Sequence, residues 1–61
     1  MANEHDQELI RQAREMEERD YSLHYEVYLL RQQAQTKEAK DELRRIGTRM
    51  YHNEEYYCGL L

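Results

Sequence analysis

Three histidines, His5, His24 and His52, and one cysteine, Cys58, are the side chains of this sequence best suited to hold a transition metal. Zinc sites join such ligands at short, recurring spacings. Here the four are scattered along the chain, so surface histidines are the plainer expectation, with no metal and no cofactor. Catalysis is equally poorly furnished. No nucleophile–base–acid arrangement, Gly-rich phosphate loop or paired-carboxylate motif is present. A chain of 61 residues also lacks the outer shell of side chains that would hold reacting groups in place. The expectation is a protein that is not an enzyme.

The other groups with chemical potential are basic. Lys37, Lys40, Arg44, Arg45 and Arg49 fall within one stretch, and phosphate recognition needs such a concentration. Glu38, Asp41 and Glu42 interrupt it, and the whole chain carries 13 acidic against nine basic residues, a formal charge of −4. A solvated helix face is the plainer reading. Nucleic acid is disfavoured, and a small nucleic-acid-binding or transcription regulator using the basic helix 37–49 is kept as the alternative function.

Six tyrosines stand in a chain without Trp or Phe. Tyr combines a large apolar body with a polar tip and is enriched where chains meet. Tyr25 is assigned to the core or a self-interface. Tyr28, Tyr51, Tyr56 and Tyr57, with Leu60, are the candidate partner surface. The last four residues, Cys58-Gly59-Leu60-Leu61, look like a C-a-a-X prenylation box, and a small acidic helical chain ending so is superficially similar to G-protein gamma subunits. The resemblance covers those four residues. Glu54 and Glu55 stand where a basic helper segment would, and the absence of Pro removes that family's Asn-Pro-Phe segment.

These groups need elements to position them, and length restricts the choice. A chain this short forms one domain, residues 1–61, and buries only about 60% of the surface it exposes when unfolded. Cores of this size rarely supply more than about 3–5 kcal/mol without a disulfide, a metal or a partner chain. A lone cysteine makes no internal disulfide, which points to self-association. No apolar run approaches the length of about 18 residues that spans a membrane. The polar start Met1-Ala2-Asn3-Glu4-His5-Asp6 is unlike a secretory signal, and the single Cys suits a reducing, cytoplasmic setting.

Periodicity yields two helices. Over residues 4–19, Leu9, Ala13 and Met16 recur at i, i+4 and i+7, with Asn3 or Asp6 as the cap and acids in the first turn. Over 29–47, Leu29, Gln32, Thr36, Ala39, Leu43, Ile46 and Met50 follow the 3-4 spacing of a seam facing another helix. Gly47, preceded by Arg44 and Arg45, reads as a helix C-terminus. Residues 48–61 have no clear period and are expected as a Tyr-rich tail, flexible or folded over the core.

The segment between the helices is ambiguous. With period 2, Tyr21, Leu23, Tyr25, Val27 and Leu29 share one face and Ser22, His24, Glu26 and Tyr28 the other, which predicts a short strand over 21–28. With helical spacing, Tyr21, Tyr25 and Tyr28 form one stripe and Leu23, Val27 and Leu30 the opposite one. A lone strand must pair with something, and the same strand of a second copy across a two-fold axis is the natural mate. The helix–strand–helix order invites comparison with ribbon-type repressors, yet the outward strand positions hold no Arg or Lys.

The expected fold is therefore mainly α: two amphipathic helices and a connecting strand in an intertwined homodimer. An all-α helical hairpin or three-helix unit, with 21–35 helical, is the alternative. In both, Leu9, Ala13, Met16, Leu23, Val27, Leu30, Leu43, Ile46 and Met50 form the core. The expected function is a non-enzymatic protein–protein interaction module, an adaptor or modulator of an unidentified partner. Size and composition suit an accessory protein of a phage or mobile element.

Overall fold

A computed structural model of the chain describes residues 3–60, with side chains described for residues 3–53. The fold is all-α. Helix α1 (Glu4–Arg19) leads through a single 3-10 turn (Tyr21–Leu23) into α2 (His24–Gln33), and a three-residue connection precedes the long α3 (Lys37–Leu60).

Local chemistry sets most of these boundaries. Asn3 is extended and its Oδ1 accepts the Asp6 N–H at 2.8 Å, capping α1, while Glu4 and Asp6 face the positive end of the helix dipole. At the other end Asp20 breaks out of the helix and accepts the Ser22 N–H on its own carboxylate at 2.9 Å. That bond restarts a helical turn at once, and α2 follows without an extended residue between. Thr36 opens α3: its Oγ1 accepts the Ala39 N–H at 3.2 Å and its carbonyl the Lys40 N–H at 3.1 Å.

Residues 21–28 are thus helical, and the expected strand is not formed. The physical reason lies in which stripe finds a core. Helical spacing points Val27 and Leu30 inward, where both are buried, with Leu23 half-buried beside them. Tyr25 and Tyr28 go to water, so the helix buries one of its two apolar stripes and leaves the other exposed. Among the described residues there is no strand for 21–28 to pair with, and the shared-strand argument for an intertwined dimer falls with it.

The second expected helix, 29–47, is also corrected. It divides at residues 34–36, because Thr36 serves as a cap rather than as a seam position. Gly47 is no terminus either: the backbone stays helical through Leu60, and no described glycine has positive φ. A Cβ at Gly47 would stand 3.5 Å from Val27 Cγ1, so the small residue marks where α2 and α3 approach closely. Residues 48–60, read from sequence as a tail, carry helical backbone.

The three helices share one core. Leu9 and Ala13 of α1, Val27 and Leu30 of α2, Ala34, and Ala39, Leu43, Ile46 and Met50 of α3 are buried, with Met16 half-buried against them. Fully burying an aliphatic side chain is worth roughly 1.5–3 kcal/mol, so the leucines, Ile46, Val27 and Met50 dominate. The short 34–36 connection makes α2 antiparallel to α3. Helix α1 runs with α3, since residues 3 and 6 meet residues 35 and 36 while Glu17 meets Arg49.

Charge closes the α1–α3 seam. Arg49 grips Glu17 through two N–H···O bonds of 3.0 Å, and Arg14 lies 3.6 Å from Glu42, which also receives Arg45 at 3.4 Å. The acidic first segment and the basic later one therefore lie side by side within one chain. At the far end, the buried Asp6 carboxylate accepts Gln35 N–H, Thr36 N–H and Thr36 O–H at 2.9, 2.8 and 2.7 Å. Burial alone would push its pKa up. The hydrogen bonds from Gln35 and Thr36, with the neighbouring His5, outweigh that and hold it below the ordinary 3.8.

Candidate functional site

Once the core is closed, the side chains left over are found on α2. Tyr25, Tyr28 and Leu29 stand at i, i+3 and i+4, on the side of the helix opposite Val27 and Leu30, and are 56%, 54% and 52% exposed. They exist as a row because this segment has two apolar stripes and the bundle covers one. Tyr28 is braced by the Arg31 guanidinium, 5.8 Å from its ring centroid, and the Tyr25 hydroxyl reaches Glu26 Oε1 at 3.3 Å.

Helix α3 extends the row. Tyr51 is half exposed and packs edge-on against the His24 ring, with centroids 5.2 Å apart, and against His52 at 5.9 Å. Gly47, one turn earlier, faces Val27 and the His24 carbonyl. The same row continues back through Arg44 and Lys40, at i−3 and i−7 from Gly47. Because α2 runs antiparallel, those two cations stand alongside the stretch of α2 that carries Tyr28 and Arg31. One edge of the α2–α3 hairpin thus gathers His24, Tyr28 and Arg31 with Lys40, Arg44 and Tyr51.

The five basic residues singled out in the sequence do not act together. Arg49 reaches across to Glu17 of α1, and Arg45 pairs with Glu42 one turn back on α3. Lys37, Lys40 and Arg44 are exposed and make no ion pair with a described residue. Of the candidate partner surface, Tyr28 and Tyr51 belong to the edge. Tyr56, Tyr57 and Leu60 have helical backbone but their side chains, like Cys58 and the C-a-a-X reading, lie outside the described side chains. Tyr25 is not a core residue of the chain. Leu29 and Arg31 are surface residues not singled out as such from the sequence, although the helical alternative for 21–35 carried the signal.

Two other places offer less. A depression of about 440 Å³ on α1 is lined by Gln7, Ile10, Arg11, Arg14, Glu15 and Glu18. Three of its four charged residues are already committed: Arg11 pairs with Glu8 and Glu15, and Arg14 with Glu42. Among the described residues, no three His, Cys, Asp or Glu side chains stand close enough to hold a metal ion, and no helix is long and apolar enough to cross a membrane.

Compared with known proteins, the chain matches no family model, no curated protein and no solved structure. The class that fold and surface define is a small three-helix unit with an uncovered aromatic face.

Proposed function

We propose that this chain is a non-enzymatic interaction module, an adaptor or modulator that binds another protein through the outer face of α2. The observation that supports the reading is the exposure of Tyr25, Tyr28 and Leu29 beside a core in which Val27, Leu43, Ile46 and Met50 have no exposed surface. Those three take no part in the buried core. Tyr is characteristic of binding hot spots, and contiguous exposed apolar groups mark contact sites. Work in a reducing compartment fits the single cysteine.

Site-specific photocrosslinking in the native host tests this. A benzophenone side chain at position 25 or 29 should give one discrete adduct with another protein, and the same group at Gln12 of α1 should give none. An adduct of twice the chain mass would mean that the face binds a second copy. Indiscriminate adducts at all three positions would sink the proposal.

Within the basic stretch 37–49, the nucleic-acid alternative retains support from Lys37, Lys40 and Arg44, the exposed cations of that stretch that no described glutamate or aspartate engages.

A further inference from the structure

We propose that the edge formed by α2 and α3 receives an acidic amphipathic helix of a partner protein. The inference rests on the interaction-module reading and specifies the partner's chemistry.

It follows from how the cations divide. Of nine Lys and Arg residues, Arg11, Arg14, Arg45 and Arg49 are neutralised by Glu8, Glu15, Glu42 and Glu17. The other five make no ion pair with a described residue: Arg19 at the end of α1, and Arg31, Lys37, Lys40 and Arg44, which all belong to the hairpin of α2 and α3. Glu38 and Asp41 are carboxylates interspersed among them, Asp41 one turn from Lys37 and from Arg44, while Glu42 is engaged by Arg14 and Arg45. A cationic edge therefore sits on a chain of net charge −4. The same edge carries Tyr28 and Tyr51, with Tyr25 and Leu29 on the adjoining face of α2.

That combination selects the occupant. An amphipathic helix presents apolar anchors at i, i+3, i+4 and i+7 with charges along its margins. Its apolar side covers Tyr25, Tyr28 and Leu29, and acidic margins meet Arg31, Lys40 and Arg44. Aromatic and Arg anchors inside a charged rim are the usual anatomy of such contacts. A nucleic-acid backbone matches the cations but leaves the apolar surface of Leu29 and Tyr25 uncovered.

The test titrates the full chain with synthetic helical peptides of about 18 residues, with Leu at i, i+3, i+4 and i+7. Their margins carry Glu, Gln or Lys, and a short DNA duplex is run in parallel; backbone amide shifts are the readout. The Glu peptide should move amides of residues 24–31 and 40–51, and bind about tenfold more tightly than the Gln peptide. The Lys peptide should not bind. In a Lys40→Glu/Arg44→Glu chain, both positions being exposed, the Glu preference should vanish with the amide spectrum otherwise retained.

Equal binding of the Glu and Gln peptides overturns the charge inference and leaves the aromatic-face reading standing. If no peptide moves those amides, both fail. Duplex DNA that binds more tightly than the Glu peptide, and loses binding in the charge-reversed chain, overturns the assignment of partner class. Persistence of the Glu preference in that chain shows the cations to be irrelevant.

Discussion

The Asp6 carboxylate accepts both the backbone N–H and the hydroxyl of Thr36, from 30 residues away, while the Thr36 hydroxyl accepts the Ala39 N–H at the start of α3. Helix α1 thereby caps the cap of α3. A negative charge buried at a helix N-terminus, with its oxygens satisfied by three donors, is favourable where an unpaired one would be prohibitive. It also fixes the 34–36 turn, since Gln35 N–H belongs to the same carboxylate.

Acid should loosen the fold through this contact. The Asp6 pKa is lowered in the folded chain, so the folded state binds its proton less readily than the unfolded state does. The resulting stability is present above the ordinary carboxylate value of 3.8 and disappears as pH falls through the lower folded value. Glu8 and Asp20 are lowered too, the first mainly by Arg11 and the second by the Ser22 N–H, and add to the trend. Thermal melts should be nearly flat from neutrality to about pH 5 and decline below about pH 4. The decline should be shallower in Asp6→Asn, which isolates the Asp6 share.

Removing the carboxylate should be worse than neutralising it. Asp6→Ala strands the Gln35 and Thr36 donors, and a lowering of the melting midpoint on the order of 10 °C is expected for a chain this small. Asp6→Asn retains one acceptor oxygen and should fall between. Equal midpoints for wild type and Asp6→Ala would mean the contact is absent in solution.

Gly47 offers a test of opposite sign. Its backbone is helical and an added methyl meets Val27 Cγ1 at an ordinary 3.5 Å. Gly47→Ala should therefore stabilise by about 0.5–1 kcal/mol in urea unfolding, through helix propensity. Gly47→Leu should destabilise by about 1–3 kcal/mol by overpacking the α2–α3 contact. Had α3 ended there in a left-handed cap, alanine would destabilise instead.

Leu43 is completely buried in the second turn of α3. Leu43→Ala should cost on the order of 2–5 kcal/mol, enough to unfold a domain with so little margin. Circular dichroism at ambient temperature reads this directly.

The Arg49–Glu17 pair is two-pronged, with Arg49 about half exposed and Glu17 less so. A double-mutant cycle to alanine should return a coupling of about 0.5–1 kcal/mol that shrinks in high salt. Coupling that survives molar salt would point to packing of the side-chain stems rather than charge.

What could be read from the residues alone was the part carried by unambiguous periodicity. The span of α1 follows from Leu9, Ala13 and Met16, and the 3-4 spacing of Ala39, Leu43, Ile46 and Met50 marks the buried stripe of α3. Asp6 reads from the sequence only as a candidate cap of α1, although it stands at i−3 from Leu9 and i−7 from Ala13, on the buried stripe. The stripe of Tyr21, Tyr25 and Tyr28 was legible within the helical alternative for residues 21–35.

Tertiary structure decided the rest. The stretch Tyr21–Leu29 satisfies period 2 and period 3.6 alike, so local sequence leaves it degenerate. The choice falls to what is available to pack against. The apolar stripe of α3 receives Val27 and Leu30, whereas a strand would need a pairing edge. Thr36 likewise becomes a helix start because Asp6 holds it, a contact between distant residues that no local window contains. Gly47 reads as a stop by propensity, yet α3 runs through it, because the backbone hydrogen bonds and packing of α2 and α3 outweigh a preference of about 1 kcal/mol.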